Sequence, residues 1–128
     1  MSLVETMSKR QMEDEINKAL IAFQEEYMGC VPADARSYIV QDILMIRFLG
    51  VLSPSELNLA QDHKGCSLIK DTRSRVLEDL QSVLFKIVKE ITGCSPASLH
   101  GDVSTRTGEM LLAITLSEDL ERKLTVER

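Results

Sequence analysis

Apolar residues recur along the chain with two periods, one helical and one extended. Met12, Ile16, Ala19, Leu20, Phe23 and Tyr27 follow steps of three and four, which place them on one side of a helix over Ser8 to Met28. Glu13, Asp14, Glu25 and Glu26 fall largely off that side, and Gly29 supplies the left-handed residue that ends such a helix. Two strands follow, Ala35 to Gln41 and Ile43 to Leu49, with Gln41-Asp42 as the turn region. The second strand is apolar in both directions. Leu44, Ile46 and Phe48 point one way, and Ile43, Met45 and Leu49 the other, with Arg47 among them. A strand with one wet face alternates more cleanly, so another element or another subunit is expected to cover the second face.

Leu52-Ser53-Pro54-Ser55-Glu56-Leu57 is the clearest local signal. Ser53 suits the N-cap, Pro54 the first helical position and Glu56 the third, and Leu52 with Leu57 completes a hydrophobic staple. The pattern predicts a short helix from Pro54 to Lys64, stopped at Gly65. A long helix is expected over Leu68 to Thr92, with Val76, Leu77, Leu80, Val83, Leu84, Ile87, Val88 and Ile91 as its apolar stripe. Gly93 ends it and Pro96 prevents its resumption. A second hairpin is expected from Ser98 to Ser104 and Glu109 to Leu116, then a terminal helix from Ser117. The order α-β-β-α-α-β-β-α defines an α+β domain. Its two hairpins join in one antiparallel sheet of about four strands, backed by the helices. Residues 1–128 are read as a single domain, ordered from about residue 8, with residues 1–7 a flexible N-terminus.

Composition narrows the function. Of 128 residues, 15 are basic and 20 acidic, a net charge of −5 that disfavours a nucleic-acid binder. No apolar run approaches the roughly 20 residues of a membrane helix, so direct membrane insertion is not expected. Three cysteines cannot form a complete internal disulfide set, and free thiols fit the cytoplasm. Each cysteine follows a glycine, in Gly29-Cys30, Gly65-Cys66 and Gly93-Cys94, so all three read as packing residues at helix ends. Cys66, beside Lys64 and the start of the long helix, is the best placed for a redox role.

No pattern of a serine-nucleophile elbow, zinc protease helix or phosphate loop occurs, and no paired thiol ligands suggest a metal. Neither catalysis nor a cofactor is therefore expected. His100 and Asp102 share a strand face by their spacing of two, an arrangement that can orient an imidazole but that more often marks a surface pair. Arg47 within an apolar strand, and Arg73 and Arg75 near Lys70 on the long helix, are the candidate anion ligands, together with the loop Gly29 to Pro32. A solvated helix face is the plainer reading of the helical cations. Ile43, Met45, Arg47 and Leu49 are the candidate interface of a homodimer.

The chain resembles the small bacterial proteins called MpsC-like. The resemblance runs over residues 10 to 116. It is carried by Gly29-Cys30-Val31-Pro32 after the first helix, the strand pair Ser37 to Leu49, and Leu52-Ser53-Pro54-Ser55-Glu56-Leu57 where the family shows Leu-Thr-x-x-Glu. Arg73, Thr92-Gly93-Cys94 and Asp102 continue it. The family shows Gly-x-Gly-Pro where this chain has Val31. Its name refers to the C component of a sodium-translocating, membrane-potential-generating system, so the resemblance implies a membrane-protein complex as partner. It carries over no catalytic residues. A non-enzymatic accessory protein is the leading expectation, a small-molecule or anion-binding regulator the second, and a cysteine-dependent sensor the third.

Overall fold

The computed structural model of the chain describes residues 7–126. The expected flexible N-terminus, Met7 apart, lies outside the described residues. Helix α1 spans Lys9–Tyr27 and opens on a capping box: Ser8 Oγ accepts the Gln11 N–H at 3.1 Å, and Gln11 Oε1 accepts the Ser8 N–H at 2.8 Å. Its apolar side buries Met12, Ile16, Leu20 and Phe23, while Tyr27 at the far end is 42% exposed. Gly29, at φ +65°, turns the chain out of the helix.

Strands β1 (Asp34–Val40) and β2 (Ile43–Leu49) form the first hairpin, and β3 (Pro96–Val103) and β4 (Met110–Leu116) the second. All pairings are antiparallel, in the order β1-β2-β4-β3. Both hairpins thus join in one sheet, as the alternation predicts. Register aligns Ile39, Leu44, Ile114 and Leu99 across it, and Ala35, Phe48, Met110 and Val103. These side chains point to the helices, and most are fully buried. The architecture is two-layered, with helices on one sheet face.

Helix α2 is Pro54–Leu59, α3 is His63–Asp79, α4 is Gln81–Thr92 and α5 is Leu120–Val126. Four helix boundaries differ from the sequence reading, the first being the end of α2 at Leu59 rather than at the expected Lys64. Gly65 does not stop a helix: it is the third residue of α3, whose first turn is capped by Asp62 Oδ1 accepting the Gly65 N–H at 2.7 Å. Cys66 therefore lies inside a helix, whereas Cys30 and Cys94 do follow left-handed glycines. The long helix starts at His63 and breaks at Leu80 into α3 and α4. Unbroken, its 30 residues would extend about 45 Å, longer than a small domain is wide. The break lets α3 pack on β3 while α4 packs on α1. Counted as one broken helix, the pair preserves the expected element order. Finally, α5 starts at Leu120 rather than Ser117, with Asp119 Oδ1 accepting the Arg122 N–H at 2.9 Å.

Among the described residues, Gln41 in the first hairpin is the non-glycine residue with positive φ, at 57°. A side chain there is strained by about 1 kcal/mol. Gln41→Gly is expected to raise stability by about 0.5 kcal/mol, the relieved strain exceeding the added backbone entropy of the unfolded chain. Urea denaturation checks it, and a lower midpoint would contradict it.

Candidate functional site

Two features stand out from this frame: the uncovered face of the sheet, and a cleft beside α3. On the uncovered face, Arg36, Arg47, Leu111 and Asp102 form one row. Tyr38, Met45, Ala113 and His100 form the next, and Val40, Ile43, Thr115 and Ser98 a third. Tyr38 is 45% exposed, Val40 48% and Leu111 39%, and Ile43, Met45 and Leu49 are half-buried. The sequence-predicted interface residues Ile43, Met45, Arg47 and Leu49 therefore share this face. No element among the described residues covers it.

The charges on this face are matched locally. Arg47 Nε donates to Glu109 Oε2 at 2.7 Å, Arg36 Nε to Asp34 Oδ2 at 3.1 Å, and Lys70 Nζ to both Asp102 oxygens at 3.0 Å. Lys70 holds the Asp102 carboxyl below the usual carboxylate range. Asp102 is thus spent on Lys70. His100 Nε2 lies 3.5 Å from Ser98 Oγ instead, so the pair on β3 is not a histidine–aspartate dyad.

The cleft encloses about 570 Å³. The chain from Tyr27 to Val31 forms one side, Gly50 to Pro54 with Glu56 the other, and Thr72, Arg73 and Val76 come from α3. Local sequence explains the arrangement. Glu56 closes the α2 capping box, its Oε1 accepting the Ser53 N–H at 3.0 Å while Ser53 Oγ accepts the Glu56 N–H at 3.2 Å. The same carboxylate meets Arg73. Arg73 NH2 donates to Glu56 Oε1 and to the Val51 carbonyl, both at 2.7 Å, and Nε donates to Glu56 Oε2 at 3.2 Å. The Arg73 side chain is only 11% exposed and that of Glu56 27%. Arg73 NH1 is buried and has no hydrogen-bond partner.

Electrostatics follow from this geometry. Burial pushes the Glu56 carboxyl up, but bonds from Arg73 and Ser53 outweigh it and leave the group below its ordinary value. Cys30 Sγ donates to the Val51 carbonyl at 3.2 Å. Burial raises its thiol pKa, and the neighbouring Arg73 offsets only part of that rise. Cys94, fully buried, is pushed up to about 11, chiefly by burial and then by Glu118. Both thiols are therefore protonated at neutral pH, which does not favour nucleophilic or redox use. Cys66 Sγ donates to the Ala60 carbonyl at 3.2 Å.

Of the candidate anion ligands, the fold brings together Arg73 and the loop Gly29 to Pro32, and separates the rest. Arg47 is on the sheet face. Arg75, two positions beyond Arg73, is turned by about 200° and exposed to solvent. Lys70 turns to Asp102. Sequence reasoning missed Glu56 as the partner of Arg73, because its capping role already accounted for it. Among the described residues no three His, Cys, Asp or Glu side chains gather as a metal site, and no helix is long and apolar enough to cross a membrane.

Comparison with known proteins adds a family. The sequence model described as "Na+-translocating membrane potential-generating system (MpsC)" matches residues 8–118. The chain is 33% identical over 117 residues to the uncharacterized protein YbcI of Bacillus subtilis (strain 168), a span covering 91% of this chain and 94% of that protein. No solved structure matches.

Proposed function

The chain belongs to the MpsC family, and from that premise we propose that it is a non-enzymatic cytoplasmic accessory protein. In this reading it works as a homodimer, joined through the uncovered face of its sheet. The observation that carries the reading is that face, with Tyr38, Val40, Ile43, Met45, Leu49 and Leu111 outward and every packed helix on the other side.

A second copy suits the face for two reasons. Its charges are matched within the face, by Arg47 with Glu109, Arg36 with Asp34 and Lys70 with Asp102. An identical copy therefore meets little net charge there, although the chain carries −5 overall. Size is the second reason. Four strands about 4.8 Å apart and seven residues at about 3.4 Å each make a patch of about 19 by 24 Å. Two such patches in two-fold contact bury about 900 Å² of flat area, the small end of specific interfaces, so reversible dimerisation is expected. In this reading the dimer docks on a membrane-protein complex, a choice supported by the family's description as a Na+-translocating membrane potential-generating system.

Sedimentation across a concentration series tests the dimer. A monomer–dimer equilibrium is expected, and Tyr38→Glu with Leu111→Glu should shift it to monomer while leaving the circular dichroism unchanged. A strict monomer up to about 1 mM would overturn the reading.

A further inference from the structure

We propose that the cleft over Arg73 is a binding site for a small monocarboxylate with a short apolar tail. The cleft shares no residue with the uncovered sheet face, so the two readings stand or fall separately. Its volume of about 570 Å³ suits a small metabolite.

The choice of ligand follows from what the site offers and withholds. Arg73 is fixed by three hydrogen bonds, two to Glu56 and one to the Val51 carbonyl, and its NH1 hydrogens are unspent. A buried guanidinium nitrogen without an acceptor is costly, and an anionic oxygen is the acceptor that best relieves it. The Cys30 thiol lies against the guanidinium. NH1 itself is closed to solvent, so binding requires a side chain of the cleft wall to turn away from it. Because Glu56 already balances the Arg73 charge, the site suits a monoanion with one or two accepting oxygens. Phosphate or sulfate needs more donors and more positive charge than one free nitrogen supplies. Met28, Val51, Leu52 and Val76 form the apolar wall that receives the tail.

The test is titration of the full chain with butyrate and isovalerate, followed by amide chemical shifts, with inorganic phosphate as the comparison. Saturable shifts at Cys30, Val51 and Arg73 are expected with the carboxylates and not with phosphate. Thr72 is exposed and lines the cleft, so Thr72→Glu adds a negative charge there without disturbing the packing. That variant should weaken carboxylate binding at least about tenfold, and Thr72→Lys should not. No saturable shift up to about 20 mM, equal binding of phosphate, or unchanged affinity in Thr72→Glu would each overturn the assignment.

Discussion

Alanine at position 65 is expected to lower the unfolding free energy by about 3 kcal/mol and Tm by about 10 °C. A Cβ on Gly65 would sit 1.7 Å from the Leu59 carbonyl oxygen and 2.7 Å from its carbon, both backbone atoms. Relief requires α2 to move away from the first turn of α3. Helix α2 buries no residue of its own, but Glu56 ties it to Arg73, and the Cys66 thiol donates to the Ala60 carbonyl just beyond its end. Helix propensity alone predicts the opposite sign, since alanine is favoured over glycine by about 1 kcal/mol. Gly29→Ala provides the comparison. Its Cβ would meet nothing within 4 Å, and only its φ of +65° opposes the change, a cost of about 1 kcal/mol. Thermal and urea unfolding of both variants decide the matter. A Gly65→Ala protein as stable as the parent would show that α2 yields freely.

Gly65 also shows where the sequence ceases to be legible. A glycine after a short polar stretch reads as a helix end, because the left-handed conformation is its commonest local use. Here it is needed inside a helix, because another backbone crosses within reach of its hydrogen. That is tertiary information, which no local pattern contains. The capping signal of α3 was hidden for a related reason, since Asp62 is followed at the third position by Gly65 rather than by glutamate. The break at Leu80 has neither glycine nor proline to mark it, and follows from fitting two helical stretches to different partners. By contrast, the hairpins were legible because β-branched and aromatic residues alternate between turn residues, and the Ser53-to-Glu56 cap because its chemistry is local. The two-sided apolar strand Ile43 to Leu49 called for a cover on its second face; no element among the described residues supplies it, which leaves the other expected cover, a second subunit. The arginines were grouped by nearness in the chain, whereas the 100° step of a helix separates Arg73 from Arg75. The partner of Arg73 lay 17 residues away, already accounted for as a cap.

That hidden pairing leads to the other large effect. Glu56→Ala is expected to cost about 3 kcal/mol, because it leaves the nearly buried Arg73 guanidinium without its counter-charge. NH1 is already without a partner, so the arginine would keep only the Val51 carbonyl. Half of the α2 capping box goes as well: the Ser53 N–H loses the Glu56 carboxylate, whereas Ser53 Oγ keeps the backbone N–H of residue 56. Arg73→Met should cost less, about 1 kcal/mol, since Glu56 retains the Ser53 N–H and partial contact with water. The double variant should then be more stable than Glu56→Ala alone, because methionine removes the stranded charge while filling its place. Acid titration separates charge from packing. In the folded chain the Glu56 carboxyl is held below its ordinary value of 4.5. Its stabilisation is therefore full above that value and is lost as pH falls through the lower, folded one. The stability gap between the parent and Glu56→Ala should accordingly be widest near neutrality and narrow as the solution becomes more acidic than pH 4.5. A gap that stays constant from neutral pH to the acid limb would assign the loss to the cap and its packing instead of the ion pair.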